Sequence, residues 1–283
     1  MITVTANRIT TEVQKFKYPD TCVGIDIQVG SQPIDYLTGI VQISCVFGHQ
    51  GINGEAFSIN DDLIALANVV DAVNRQYPNA GIELHLPYLP YSRQDRAVKP
   101  GEANSLKVIG KMINGMGFRS VFTYDAHSTV ADVAIDNLVV FDQFDIFKDI
   151  YPSFREVYIV APDEGARKKC ESFAKRVGAA GVITCAKDRV NGKVVGLKVL
   201  DTVPANANIL VLDDLCDGGR TFIEVSKAID RDSNYTCVNI DLAVTHGLFT
   251  KGVDVVAHNF DTIYTTDSIN TDKAHQKVKV INL

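Results

Sequence analysis

The 283-residue chain contains no tryptophan, only three methionines, and six cysteines that nowhere form a CxxC pair. The missing tryptophan carries no functional weight. The scattered thiols argue against both a zinc site and a disulfide framework, so Cys22, Cys45, Cys170, Cys185, Cys216 and Cys237 are expected to be reduced and mostly packed. No stretch approaches the ~18 uncharged apolar residues of a membrane span. The opening MITVTANRITTEV also lacks the basic-then-apolar order of a signal peptide. The expectation is a cytoplasmic protein without a membrane partner. Positive charge is scarce as well: 28 Lys and Arg face 34 Asp and Glu, a net charge of -6. That balance argues against a broad nucleic-acid footprint, so any anionic ligand must be met by local cations. No low-complexity tract or Pro/Gly/Ser linker interrupts the chain.

What is present is globular in composition, with 46% apolar and 22% charged residues. At about 150 residues per domain the length suggests two domains. From about residue 40 apolar runs alternate with helix-period segments, the pattern of a parallel sheet flanked by helices. Asn60 is the expected N-cap of a helix carrying Leu63, Leu66, Ala67, Val70 and Val73, followed by a strand at Ile82 to Leu86. Asn104 or Ser105 is expected to cap a helix ending near Gly115, and Ser120 to Tyr124 is read as a strand ending on Asp125. The second half follows the same grammar: strand Val157 to Ala161, helix Gly165 to Val177, strand Gly181 to Ala186, strand Ile209 to Leu212, helix Thr221 to Ile229 and strand Cys237 to Val244. The similar layouts of VIGKMINGMGFRSVFTYDAH and EVSKAIDRDSNYTCVNIDLAVTH suggest a structural duplication, with domains spanning 1–145 and 146–283.

Acidic residues recur where strands are expected to end: Asp125, Asp163, and Asp213-Asp214 with Asp217. In an open parallel sheet that edge gathers loops and helix N-termini and is where ligands bind. The sharpest signal is ILVLDDLCDGGRTF, Ile209 to Phe222. Two adjacent carboxylates suit a pair of vicinal hydroxyls or a magnesium shell, and the turn that follows opens a helix whose free N–H groups and dipole can cradle a phosphate. This segment resembles the phosphoribosyl-diphosphate-binding motif of the type I phosphoribosyltransferase fold. The stretch LPYLPYSRQDRAVKPGE, Leu86 to Glu102, is similar to the Arg-Gln-Asp-Arg region of ribose-phosphate diphosphokinases, which plain transferases lack. Asn60-Asp61, YDAHS, APDEGARKK and Lys187-x-Arg189 match further family motifs in order.

The resemblance implies an α/β protein of two phosphoribosyltransferase-like domains, each a mainly parallel sheet flanked by helices. It implies transfer of the β,γ-diphosphate of ATP to the anomeric hydroxyl of ribose 5-phosphate, with AMP leaving. In that reading Tyr18, Asp20, Arg93, Gln94, Arg96 and His127 bind ATP, and His127 and Asp163 ligate the magnesium on its phosphates. Lys187 and Arg189 stabilise the transition state, Asp213 and Asp214 hold the ribose hydroxyls and a second magnesium, and Asp217, Gly218, Gly219, Arg220 and Thr221 hold the 5-phosphate. A homo-oligomer, dimer or hexamer, is implied as well.

Three departures stand out. The family's N-terminal Phe-Ser-Asp-Gly-Glu motif survives only as Tyr18-Pro19-Asp20-Thr21-Cys22, without its Glu. The run after His127 is Ser128-Thr129-Val130-Ala131-Asp132-Val133 rather than Gln-Ile-Gln-Gly-Phe-Phe. The phosphate loop, usually Asp-Thr-x-Gly-Thr, reads Asp217-Gly218-Gly219-Arg220-Thr221. A hydroxyl is lost there and a cation gained. Arg220 can pair with a 5-phosphate, or the glycines can widen the loop for a larger 5-substituent such as that of ADP-ribose, whose diphosphorylated product would serve NAD synthesis. A non-catalytic ribosyl-phosphate-binding regulator is a third reading, although all of the implied catalytic residues are present.

Overall fold

The computed structural model describes residues 1–27, 39–51, 54–190, 193–232 and 239–283. The chain forms two units, Met1–Phe141 with Ser268–Asn270 and Asp142–Asp267 with Thr271–Leu283. The division falls a few residues before the expected 145/146 boundary, and a physical reason is visible. Asp142 caps the helix that follows it, accepting from the backbone N–H of Phe144 and Asp145, and also binds the Arg176 guanidinium, so it belongs with the second unit. Ser268–Asn270 returns to the first unit because Ile269 bridges Phe47 and the Asn270 N–H donates to the Phe47 carbonyl at 2.8 Å.

The first unit contains β1 (Ile2–Ala6), β2 (Ile9–Glu12), β3 (Gln14–Lys17), β4 (Val23–Asp26), β5 (Ile40–Cys45), α1 (Ile59–Gln76), β6 (Gly81–His85), α2 (Ser105–Gly115), β7 (Ser120–Tyr124), α3 (Val130–Ala134) and β8 (Leu138–Phe141). Its six-stranded sheet has the order β2-β1-β5-β6-β7-β8, with β5 through β8 parallel and β1 antiparallel to both neighbours. The strands β3 and β4 form a separate hairpin. The N-cap of α1 is Ser58, not Asn60. Ser58 has an extended backbone, its hydroxyl accepts the Asp61 N–H, and the Asp61 carboxylate returns a bond to the Ser58 N–H at 2.9 Å. This reciprocal box satisfies two otherwise orphaned donors, and Asn60 inside the helix is left to accept from the Tyr91 hydroxyl. Asn104 caps α2 as its sequence position suggests, accepting from Lys107 N–H at 3.0 Å.

The second unit contains α4 (Gln143–Phe147), β9 (Val157–Ala161), α5 (Arg167–Val177), β10 (Gly181–Val190), β11 (Lys193–Val199), β12 (Asn208–Cys216), α6 (Arg220–Asp232), β13 (Asn239–Gly247), α7 (Asp254–Ala257), β14 (Ile263–Thr266) and β15 (Val278–Ile281). Its seven strands run β11-β10-β9-β12-β13-β14-β15, parallel except for β11. The strand expected over Ile209 to Leu212 continues to Cys216 because β13 pairs with it throughout, as far as Cys216 opposite Gly247. The helix expected from Gly165 starts at Arg167, since Asp163 and Gly165 form the preceding turn, in which Asp163 accepts the Ala166 N–H. Residue 237 lies outside the described residues; the other five cysteines are free thiols, and burial pushes those of Cys45 and Cys216 up to about 12. Among the described residues no helix is long and apolar enough to cross a membrane.

The β3–β4 hairpin is fastened to α1 by charge. Lys15 and Asp62 form a buried ion pair, Lys17 binds Asp61 at 3.0 Å, and Asn68 donates to the Val23 carbonyl at 3.1 Å. Among the described residues, one Asp62 oxygen stays buried without a partner. Removing one member of such a pair strands a charge, which costs about 3–5 kcal/mol, whereas replacing both with apolar residues is often neutral. Lys15→Met is therefore expected to lower the denaturant midpoint sharply, and Lys15→Met/Asp62→Leu to recover most of it. Equal loss in the single and double variants, followed by circular dichroism in urea, would show that the pair is not what fastens the hairpin.

Candidate functional site

In the first unit the C-terminal ends of the adjacent parallel strands β6 and β7 carry two of the expected nucleotide elements. After β6 the chain stays tied to β7: the Leu86 N–H donates to the Phe122 carbonyl at 2.8 Å and the Tyr124 N–H to the Pro87 carbonyl at 3.2 Å. The chain then turns through Tyr91, whose φ of 61° is left-handed, and closes with Gln94 N–H to the Tyr91 carbonyl at 2.9 Å. Asn104 holds the far side of this loop through the Asp95 carbonyl at 2.7 Å. The loop thereby presents Arg93, Gln94 and Arg96 with exposed side chains. After β7, buried Asp125 also has positive φ, 42°, and its N–H donates to the Phe141 carbonyl of β8 at 2.7 Å. A non-glycine residue held there is unusual and marks a site where the surroundings dictate the backbone. The turn brings His127 to the surface at the same sheet edge.

Tyr18 and Asp20 are placed differently, on the turn of the β3–β4 hairpin. The Asp20 carboxylate accepts the Cys22 N–H at 3.0 Å, and the exposed Tyr18 ring packs edge-on against Phe16. Asp20 thus has a turn-forming role whether or not it meets a ligand.

In the second unit the C-terminal edge of the sheet gathers the acidic residues. Asp213 and Asp214 lie within β12 and not beyond it, Asp214 being buried and Asp213 half-buried, with the Asp214 N–H donating to the Asp213 carboxylate at 2.9 Å. Desolvation, and then the facing Asp214 carboxylate, hold the Asp213 carboxyl well above the usual range, with Asp163 adding to the repulsion. Asp163, on the turn after β9, is exposed. Lys187 is exposed on the part of β10 that pairs only with β11, past the last β9 contact at Thr184. Arg189 follows a register shift in the same strand; its side chain lies outside the described residues.

The loop Asp217 to Thr221 is clamped from behind by residues 248–252. Leu248 and Phe249 N–H groups donate to the Cys216 carbonyl at 2.9 and 3.1 Å, and Thr250 binds Asp217 through both its N–H, at 3.1 Å, and its hydroxyl, at 2.6 Å. Gly219 is required twice over. Its φ is +76°, and a Cβ there would lie 2.3 Å from Val256 Cγ2. Arg220 opens α6, whose first-turn amides have no intrahelical acceptor, an arrangement suited to receiving an anion. Lys251, which the motif reading missed, lies alongside Gly218. The loop motif ends some thirty residues before it, so only the β12–β13 pairing could have revealed it.

A magnesium ion suits the Asp213–Asp214 pair, because burial and the neighbouring Asp214 raise the Asp213 carboxyl, and a cation between the two carboxylates relieves both. Among the described residues no group of three or more His, Cys, Asp or Glu is arranged around a metal. Magnesium does not need one, since it keeps several waters and takes few protein ligands. A separate cavity of about 610 Å³ in this unit, lined in part by Phe144, Lys148, Arg155, Lys175 and Arg176, sits at the C-terminal turn of α5, away from the acidic edge.

Comparison with known proteins bears on the family. Residues 5–117 match the model of the N-terminal domain of ribose phosphate pyrophosphokinase. A ribose-phosphate pyrophosphokinase 2 of Streptococcus pyogenes serotype M3 is 30% identical over 231 residues, 78% of this chain and 68% of the relative. The ribose-phosphate pyrophosphokinase of Thermotoga maritima is 27% identical, covering 80% of this chain and 72% of its own length. The crystal structure of phosphoribosylpyrophosphate synthetase from Mycobacterium smegmatis shares the fold, with a TM-score of 0.73 and 18% identity over 96% of this chain and 86% of that one. The chain therefore belongs to the ribose-phosphate pyrophosphokinase family, a family of diphosphate-transferring enzymes.

Proposed function

We propose that the protein transfers the β,γ-diphosphate of Mg-ATP to the anomeric hydroxyl of ribose 5-phosphate, giving phosphoribosyl diphosphate and AMP. The observation that carries this reading is the adjacency, at one end of β12, of paired carboxylates and a glycine-hinged helix N-terminus. Asp213 and Asp214 accept hydrogen bonds from the vicinal ribose hydroxyls. The amides of Gly218 to Thr221, with Arg220, hold the 5-phosphate, fixing the sugar so that its anomeric oxygen is oriented for in-line attack. Arg93, Gln94, Arg96 and His127 serve ATP, with Tyr18 and Asp20 directed at its base. Planar guanidinium groups suit both phosphate oxygens and a purine face. His127 and Asp163, each within its own unit, are proposed to ligate magnesium; magnesium, when bound, offsets the negative charge of the phosphate chain. Lys187 and Arg189 neutralise charge that grows on the phosphate oxygens as AMP leaves.

A second acceptor, ADP-ribose, is favoured by one feature. Where the family's usual hydroxyl at position 218 is missing, the loop carries Arg220 and the adjoining turn brings Lys251 beside it, cations that suit a 5-diphosphate as well as a 5-monophosphate.

Incubation with Mg-ATP and either acceptor is expected to release AMP with ribose 5-phosphate; release only with ADP-ribose would transfer the assignment to that acceptor, and release with neither would defeat the diphosphokinase reading. Lys187→Ala is expected to lower kcat by about 10²- to 10³-fold while ATP affinity changes by less than about twofold, because its interaction belongs to the transition state. Weakened ATP binding at unchanged kcat would remove Lys187 from that role.

A further inference from the structure

We infer that Lys251 is a specificity-determining residue for the phosphoryl group on the acceptor's C5, occupying the place that Gly218 leaves open beside the phosphate loop. The inference rests on the reading of Asp217 to Thr221 as the acceptor loop. A Cβ built on Gly218 would lie 3.3 Å from Lys251 Cε, 3.4 Å from Cδ and 3.6 Å from Cγ. The aliphatic stem of the lysine therefore runs along the face of the glycine from which a side chain would project. In the family's usual loop that position bears threonine, and a side chain at 218 would press on the Lys251 stem, which must then give by a few tenths of an ångström.

The lysine is carried on a fixed turn. Its neighbour Thr250 is bonded to Asp217 through both backbone and side chain, and Phe249 is buried in the core with its N–H on the Cys216 carbonyl. Gly252 closes the turn by donating to the Phe249 carbonyl at 2.8 Å, with a φ of +84°. The loop and the backbone that carries the lysine are thus held by the same few hydrogen bonds, which keeps the base of the side chain beside the loop. Among the described residues no carboxylate forms an ion pair with Lys251. The Asp217 carboxylate, the nearest acid in sequence to the loop glycines, is engaged by Thr250. A lysine ammonium is a mobile point charge with three donors, suited to a phosphate that varies in its substituent. A threonine hydroxyl at 218 would supply one directional bond without charge.

The test uses the whole protein and reads binding without turnover, so that it is separate from the identity of the reaction. Ribose 5-phosphate and ADP-ribose are titrated calorimetrically into wild type, Lys251→Ala and Lys251→Arg, with melting temperatures as the folding control. Lys251→Ala is expected to weaken whichever acceptor binds by about 10- to 100-fold, the range for a lost charge-assisted bond, and Lys251→Arg to retain most of the affinity. Gly218→Thr in the wild-type background is expected to weaken binding by crowding the stem. The same substitution in Lys251→Gly is expected to strengthen it, an opposite sign that independent sites do not show. Unchanged acceptor affinity in Lys251→Ala, or additive effects of the two positions, would overturn the inference. AMP release with neither acceptor alongside an intact Lys251 effect on binding would defeat the reaction and leave the site.

Discussion

The second unit's site depends on the pairing of β12 with β13. The apolar run Ile209 to Leu212 is buried on both faces between β9 and β13, as expected of a central parallel strand. What matters is that the ladder with β13 does not stop there. It continues with Asp213 opposite Val244, Leu215 opposite His246 and Cys216 opposite Gly247, so the backbone of the acidic pair is fixed by the sheet. A loop bearing the same two residues would let the carboxylates swing apart to relieve their repulsion. The sheet denies them that freedom, so repulsion from Asp214 adds to the burial that raises the Asp213 carboxyl.

The same pairing determines what stands behind the turn Asp217 to Thr221. Because β12 and β13 end level with one another, the residues after each strand meet: Asp217 to Thr221 after one, Leu248 to Gly252 after the other. The loop is a double-walled turn in which main-chain bonds hold the shape, leaving the amides at the start of α6 for a ligand. The first unit uses a comparable device with different parts. There, β6 and β7 are cross-linked beyond their ends, and the left-handed conformations of Tyr91 and Asp125 turn the chain outward at adjacent strand termini.

Local patterns made much of this legible in the sequence. Apolar runs marked the central strands, Asn104 or Ser105 marked the start of α2, and the helix expected to end at Val177 does end there, just before the left-handed Gly178. The ordered motifs identified the family. The misjudged features have two causes, a local capping signal passed over and partners distant in sequence. Ser58 prevailed over Asn60 as a cap once Asp61 folded back on it and Tyr91 claimed Asn60. The length of β12 was set by β13, and Lys251 reached Gly218 only through that pairing. Composition and periodicity report on a residue's neighbours along the chain. They are silent about volume shared across it.

The short return of Ser268–Asn270 to the first unit affects how the protein is made. Phe47 and Gly48 receive their bonds from Asn270, which is synthesised more than two hundred residues later. Domains generally fold as units during synthesis, the earlier one first. Here the earlier unit leaves the ribosome with one strand end uncapped, and its last backbone partners arrive only after nearly all of the other unit has been translated. The N-terminal unit is thus discontinuous, and a fragment cut at the boundary near Phe141 would lack a piece of its own fold.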